Sequence, residues 1–362
     1  MKYIYISQFY GLKTGAGKVC QDNIELLSSV VGKENLEKID LSCSYWSSVK
    51  RISTFIRAFA LLLPATSLIK GLKLIFNLLL EKEPVTIWFD GSYYGNVILI
   101  TKMLKKDNVR VINFCHNVEK DFSRSIFPHN ILYYFLVKAY DFNEYLSITH
   151  SDDIVTLTEQ DAKRLESIYR RRIDFSLPAS AVKPNLETIT NINFGDFKFD
   201  NYFLFVGSDF PPNVEAIKFL SKEVFPHLDL KLIIVGNGLD KYKHLERDNI
   251  KIFGFVDSLE PFYHNAIAVL SPIFTGAGMK VKIAEALAYS KRIVATEFSL
   301  AGYPKFEYYP EVFVIANDSE QFIFQIECLY RERNKNHNGV EKYYESYLSE
   351  DSRRRILLSL GI

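Results

Sequence analysis

Cysteine is scarce in this chain. Cys20, Cys43, Cys115 and Cys328 are scattered through 362 residues with no pair at metal-ligand spacing. That excludes a disulfide scaffold and a zinc module, and a reduced, intracellular protein is expected. Net charge is also nearly absent, at +1, so the molecule as a whole has no bulk attraction for nucleic acid and none is expected as a partner. Long apolar runs are missing too. The longest, Ala58 to Ile69, is bounded by Arg57 and Lys70 and interrupted by Pro64, too short to span a bilayer. The opening "MKYIYISQFYGLK" lacks the apolar core of a signal peptide and reads as a first strand and a loop. A cytoplasmic location follows as the expectation.

One further absence is local. From Leu41 to Leu80 there is no acidic residue, while Lys50, Arg51, Arg57, Lys70 and Lys73 alternate with Phe55, Phe59, Leu62, Leu72 and Phe76. Basic and apolar residues at helical spacing describe a membrane-surface helix. They also describe amphipathic domain helices with a solvated basic face, and both readings stand. On the first, residues 41–80 give peripheral contact with the inner face of a membrane.

What is plentiful is a repeated pattern. "YIYIS" (Tyr3–Ser7), "VTIWFD" (Val85–Asp90), "VRVINF" (Val109–Phe114) and "IVTLT" (Ile154–Thr158) are short apolar runs, each followed by loop residues and a helical period. "TEQDAKRLESIY" is a helix with Thr158 as its cap and Asp161 in its first turn. Periodicity fails from Val182 to Asn201. A second series follows: "YFLFVGS", "LKLIIVGNG", "IKIFGFV", "AIAVLSP", "RIVAT" and "VFVIA". Two such series predict an α/β protein of two Rossmann-like, doubly wound domains facing across a cleft. The predicted divisions are residues 1–183, a linker at 184–201, a second domain at 202–335, and a C-terminal helix within 336–362 packing back on the first domain.

The stretch "TGAGMKVKIAEALAYS" (Thr275–Ser290) carries the most chemistry. Gly276 and Gly278 let backbone N–H groups approach an anion, and the following helix offers its positive end. Lys280 or Lys282 then pairs with phosphate. Glu285 lies one turn later on the face of Lys282, placed to accept two ribose hydroxyls. Close packing of a βα turn with a surface Lys–Glu pair would give the same residues. "TGAGK" (Thr14–Lys18) is not a Walker A loop, because Val19 stands where Ser or Thr would hold magnesium. "VGNGLD" (Val235–Asp240) is an incomplete dinucleotide fingerprint. "SDD" (Ser151–Asp153) reads as a cap at the start of a strand, and no metal site is expected.

Together, "FLFVGSDFPPNVEAIKFLSKEVFPHL", "LKLIIVGNG", the run from "IKIFGFV" through "TGAGMKVKIAEALAYSKRIVAT", and "AGY" occur in an order that resembles the C-terminal domain of glycosyltransferase family 4, retaining enzymes of GT-B fold. The resemblance covers roughly Tyr202 to Tyr303; it is thinner in the N-terminal half, where "TGAGK" and "FCHNVEKDF" carry it. It implies Lys282, Gly276, Gly278, Gly15 and Gly17 at the donor diphosphate, Glu285 at the ribose, and Phe253, Gly254 and Phe255 at the base. Gly207, Gly236, Ala277 and Met279 would line the cleft. His116 would be the catalytic-site residue, contacting the donor sugar and helping to place the acceptor. No cofactor or metal is implied beyond a nucleotide diphosphate sugar as donor, with UDP favoured.

Two departures qualify the resemblance. Much of the family has two glutamates with seven residues between them; here Glu285 is the second and Ala277 stands at the first, as in a subset with a glycine-rich loop. The basic pair that often follows the first strand of the second domain is also missing, and "GSDFPPN" occupies its place. The implied activity is retaining transfer of a sugar to an acceptor hydroxyl on a lipid-linked glycan or glycoprotein, in bacterial surface polysaccharide or glycoconjugate synthesis. A nucleotide-sugar epimerase of GT-B fold and a non-catalytic GT-B subunit remain as alternatives.

Overall fold

The computed structural model describes residues 1–12, 14–40, 68–104, 108–126, 131–184, 201–276, 278–335 and 338–362. The chain forms two compact units, Met1–Pro178 with Arg353–Ile362, and Ala179–Ser352. The first holds strands β1 (Lys2–Ser7), β2 (Leu36–Asp40), β3 (Val85–Asp90), β4 (Val109–Cys115), β5 (Asp153–Thr156) and β6 (Phe175–Ser176). They pair in parallel in the order β2-β1-β3-β4-β5-β6. Register sets Tyr5 opposite both Lys38 and Trp88, and Phe89 opposite Asn113. β3 is buried at every position, which is why its sequence runs apolar without alternation. β2 carries "LEKID", exposed at most positions; this edge strand has no apolar signal and was not anticipated.

The second unit holds β7 (Tyr202–Val206), β8 (Lys231–Val235), β9 (Ile250–Phe253), β10 (Ala266–Ser271), β11 (Arg292–Ala295) and β12 (Phe313–Ile315). Their order is β12-β11-β10-β7-β8-β9. Counted within the unit this is 6-5-4-1-2-3, the Rossmann order, whose switch point lies between β7 and β10. In the first unit the order reverses between β1 and β3. Ligands of such sheets sit outside the carboxyl ends of the strands at the switch point. The second core joins Phe203, Phe205, Ile234, Leu270 and Phe322, all fully buried, each contributing roughly 1.5–3 kcal/mol.

Helix Glu159–Tyr169 starts as its sequence predicts, with the Thr158 hydroxyl accepting the Asp161 N–H at 2.9 Å. The C-terminal segment differs from the expectation. It forms two helices, Gly339–Tyr347 and Glu350–Ser359, because Leu348 leaves helical geometry and Ser349 begins a new turn by accepting the Ser352 N–H. The first belongs to the second unit, and only residues 353–362 belong to the first. There the buried Arg353 reaches Asn23 at 2.8 Å, and Arg110 binds the carbonyls of Leu360 and Gly361. The predicted linker 184–201 lies, except for its two end residues, outside the described residues, as do residues 41–67 of the acid-free stretch.

Candidate functional site

β10 runs into the loop that carries Gly276 and Gly278, whose φ angles of 112° and 69° lie in the left-handed region. Only glycine enters that region at no steric cost. Ala277 lies outside the described residues. The helix Val281–Ala288 follows; among the described residues no side chain caps its N-terminus and no acidic residue stands in its first turn. Its first turn brings in Lys282, whose ammonium lies 4.2 Å above the centre of the Phe205 ring and donates to Asn213 Oδ1 at 2.8 Å. Burial, reinforced by the neighbouring Lys280 and opposed by Glu285, pulls Lys282 down to about 7. An anion arriving beside it favours the charged form and raises its pKa again. Lys280 turns back to the Gly278 carbonyl at 2.6 Å and stands over the Phe298 ring.

Glu285 comes three residues after Lys282. Its Oε2 accepts the hydroxyl of the buried Tyr263 at 2.6 Å, and that ring stacks on Tyr289 at 5.2 Å. Met279 is buried, and Tyr303 pins the loop by donating to the Lys280 carbonyl at 2.8 Å. The carboxyl edge of the sheet is stitched through glycines. Gly207 N–H donates to the Val235 carbonyl, and Gly236 N–H to that of Phe253, both at 3.1 Å. A Cβ on Gly236 would stand 1.4 Å from the Gly207 carbonyl oxygen, so this strand end accepts no side chain. Asn213 packs against Gly207 and donates to the Ser208 carbonyl at 3.0 Å. The polar contact that "GSDFPPN" supplies to Lys282 is therefore an amide in place of a basic pair. Phe253 packs its ring on Phe262, Gly254 sits against Asp240, and Phe255 is 54% exposed. Gly207, Gly236, Phe253 and Lys282 thus share one edge of this unit.

In the first unit, β4 delivers His116 at its carboxyl end. The ring is buried between Phe9 and Phe114, with edge contacts of 5.1 and 5.0 Å. Its Nε2 lies 2.8 Å from Oδ1 of Asp90, the last residue of β3. Asp90 is wholly buried, and its Oδ2 accepts the Ser7 hydroxyl from β1 at 2.7 Å. Strand pairing thus joins Ser7, Asp90 and His116 at the switch point of this sheet. A buried carboxylate that binds one ring nitrogen fixes the ring's orientation and tautomer. Asp90 and Asn213 escaped the sequence reading. The signal for Asp90 was an acid closing an otherwise apolar strand.

Gly15 and Gly17 begin the helix Gly15–Val31, where the Thr14 hydroxyl accepts the Gly17 N–H at 3.2 Å. Gly15 is exposed. Gly17 is buried, and a Cβ there would lie 1.9 Å from the Leu12 carbonyl oxygen. Close packing accounts for Gly17 within this unit. In "SDD", Asp152 binds Lys102 and the Val111 N–H, and Asp153 binds Arg110 at 2.8 Å. No cluster of metal-ligating residues occurs among the described residues.

Residues 200–332 match the family described as glycosyl transferases, group 1. The matched residues lie within the second unit. No curated protein matches the chain in sequence. Solved structures match over its whole length. Anabaena HepE, solved with UDP and glucose, is 12% identical, with a TM-score of 0.66 over 100% of this chain and 99% of that one. The sucrose-phosphate synthase of Thermosynechococcus elongatus is 13% identical, with a TM-score of 0.68 over 100% and 98%. The lipopolysaccharide outer core galactosyltransferase WaaB is 13% identical, with a TM-score of 0.63 over 99% and 100%. The two six-stranded parallel sheets match the fold of GT-B glycosyltransferase structures.

Proposed function

We propose that the chain transfers a sugar from a nucleotide diphosphate sugar, with UDP as the favoured nucleotide, to an acceptor hydroxyl with retention of configuration. One observation carries the reading: the buried Lys282, drawn down to about 7, stands in the first turn of a helix behind two left-handed glycines, within the residues that match the group 1 glycosyl transferases. That combination suits a diphosphate, which brings negative charge to N–H groups and an ammonium already held in place. Glu285, oriented by Tyr263, is assigned the ribose hydroxyls, and the exposed Phe255 with Gly254 the base. Anabaena HepE was solved with UDP and with UDP-glucose, which supports a uridine donor.

The chemistry asked of these residues is electrostatic. As the bond from the anomeric carbon to the phosphate oxygen breaks, negative charge grows on the diphosphate. Lys282 and the helix end stabilise it without reorganising. With retention, the acceptor oxygen attacks from the face the diphosphate leaves, and the acceptor proton passes to the departing phosphate oxygen. His116, held by Asp90, is assigned to the sugar being transferred. The acceptor is assigned to a lipid-linked glycan or glycoprotein in bacterial surface polysaccharide synthesis, with residues 41–80 as the membrane contact. Among the described residues no helix is long and apolar enough to cross a membrane. The test is hydrolysis of UDP-sugars by the purified chain, with Lys282→Ala as control. Release of UDP lost in the variant is expected. Release unchanged in the variant, or none from UDP-, GDP- or ADP-sugars, overturns the reading.

A further inference from the structure

A second buried polar centre lies one turn beyond His116. The helix Ile131–His150 turns one face, Asn143, Glu144 and Ser147, into the first unit, and all three are wholly buried. Glu144 Oε1 accepts the Glu119 N–H at 2.6 Å, and Oε2 accepts the Lys120 N–H at 3.1 Å. Oε2 also accepts the Tyr169 hydroxyl at 2.7 Å. Helix Glu119–Ile126, which follows the His116 turn, therefore begins on a carboxylate supplied by another helix. The same face holds the turn after Asp90. Ser147 donates to the Ser92 carbonyl at 2.7 Å, and Asn143 Oδ1 accepts the Asn96 N–H at 3.0 Å. Gly95 permits this approach, since a Cβ there would stand 2.0 Å from the Asn143 carbonyl oxygen.

A helix start is ordinarily capped by a local Ser, Thr, Asp or Asn. Burying a carboxyl for this purpose is disfavoured, and burial pushes Glu144 up to about 7 and its buried neighbour Glu119 to about 8. The arrangement gains what a local cap does not provide: one rigid helix grips the turns after both β3 and β4, which carry Asp90 and His116. We propose that Glu144 is a positioning residue for His116, fixing the turn from Asn117 to Lys120 so that the ring stays on Asp90. This rests on the role assigned to His116 above.

The test uses the full chain as Glu144→Ala, Glu144→Asp and Glu144→Gln beside His116→Ala. It measures UDP-sugar hydrolysis together with amide hydrogen exchange across residues 116–122. Glu144→Ala and Glu144→Asp, which lose reach, are expected to lower kcat about tenfold or more with KM changed less than about twofold. Exchange should quicken in 116–122 and stay unchanged in β7–β12. Glu144→Gln keeps the length but one acceptor oxygen where both Oε1 and Oε2 accept, so it should recover only part of both losses, more than the Asp or Ala variant does. If the Ala variant does not fold, the Asp variant carries the same two measurements. Unchanged exchange overturns the proposal, as does faster exchange with wild-type kcat in a chain whose His116→Ala variant is impaired. Wild-type turnover in His116→Ala refutes the assignment of His116 itself, and the positioning role falls with it.

Discussion

If Lys282 holds the donor diphosphate as proposed, donor binding should be a proton-linked event. In the free protein burial and Lys280 hold it at about 7. A diphosphate beside the ammonium restores its charge, so binding takes up a proton wherever Lys282 was neutral. The uptake follows the deprotonated fraction: ~0.1 proton at pH 6, ~0.5 at pH 7 and ~0.9 at pH 8. Affinity falls in step, about twofold from pH 6 to 7 and about ninefold, or ~1.3 kcal/mol, from pH 8 to 9. UDP-glucose is the suitable probe, because its diphosphate has no group titrating near neutrality. Calorimetry in buffers of different ionisation enthalpy reads the uptake directly. Lys282→Arg, permanently charged, should flatten the pH profile, and Lys282→Met should weaken binding about 10–100-fold with no uptake. The free protein shows the same group with the opposite face. Unfolded Lys282 keeps its proton to the ordinary lysine value while the folded one releases it near 7, so this contribution to stability rises with pH across that window and is lowest below it. Binding that takes up no proton at pH 8, or affinity level from pH 7 to 9, refutes the placement of Lys282 on the diphosphate.

Asp90→Asn removes the charge that fixes the His116 ring and should lower kcat for donor hydrolysis about 10–100-fold while leaving UDP affinity within about twofold; equal turnover would detach Asp90 from function. Gly236→Ala forces a methyl onto the Gly207 carbonyl and should lower stability by ~3 kcal/mol or more in denaturant titrations, whereas Gly11→Ala, with a φ of 67° and nothing within 4 Å, should lower it by only ~1–2 kcal/mol. Vesicles of anionic lipid should bind the chain less as salt rises, at ~1 kcal/mol per basic residue, and replacing Arg51, Arg57, Lys70 and Lys73 by Gln should release it. Lys70 should contribute least of the four, because Asp40 pairs with it at 2.9 Å; no preference for anionic vesicles at low salt would end the membrane assignment.

The parts of the fold that were legible are those where one physical demand dominates. A strand covered on both faces must be apolar throughout, so β3 and β7 announce themselves. An edge strand has no such demand, and "LEKID" reads as loop. Glycines were legible as places where backbone approaches something, but not as to what. For Gly17 and Gly236 the partner is the chain's own carbonyl. Lys282 and Glu285 were legible because one helix turn fixes their spacing. Their partners Asn213 and Tyr263 were not, being 69 and 22 residues away respectively. The pairing of Asp90 with His116 likewise follows from the register of β3 against β4, which no local pattern carries.

The first unit is interrupted in sequence: its last piece, residues 353–362, comes after the whole of the second. During synthesis β1 to β6 leave the ribosome long before Arg353 exists to meet Asn23, or the carbonyls of Leu360 and Gly361 to meet Arg110. The second unit, continuous from Ala179 to Ser352, has no such wait. The order of completion on the ribosome is therefore the reverse of the order of translation. A chain stalled before residue 353 would present a finished second unit attached to a first unit with an open seam, the kind of surface a chaperone holds or a protease enters.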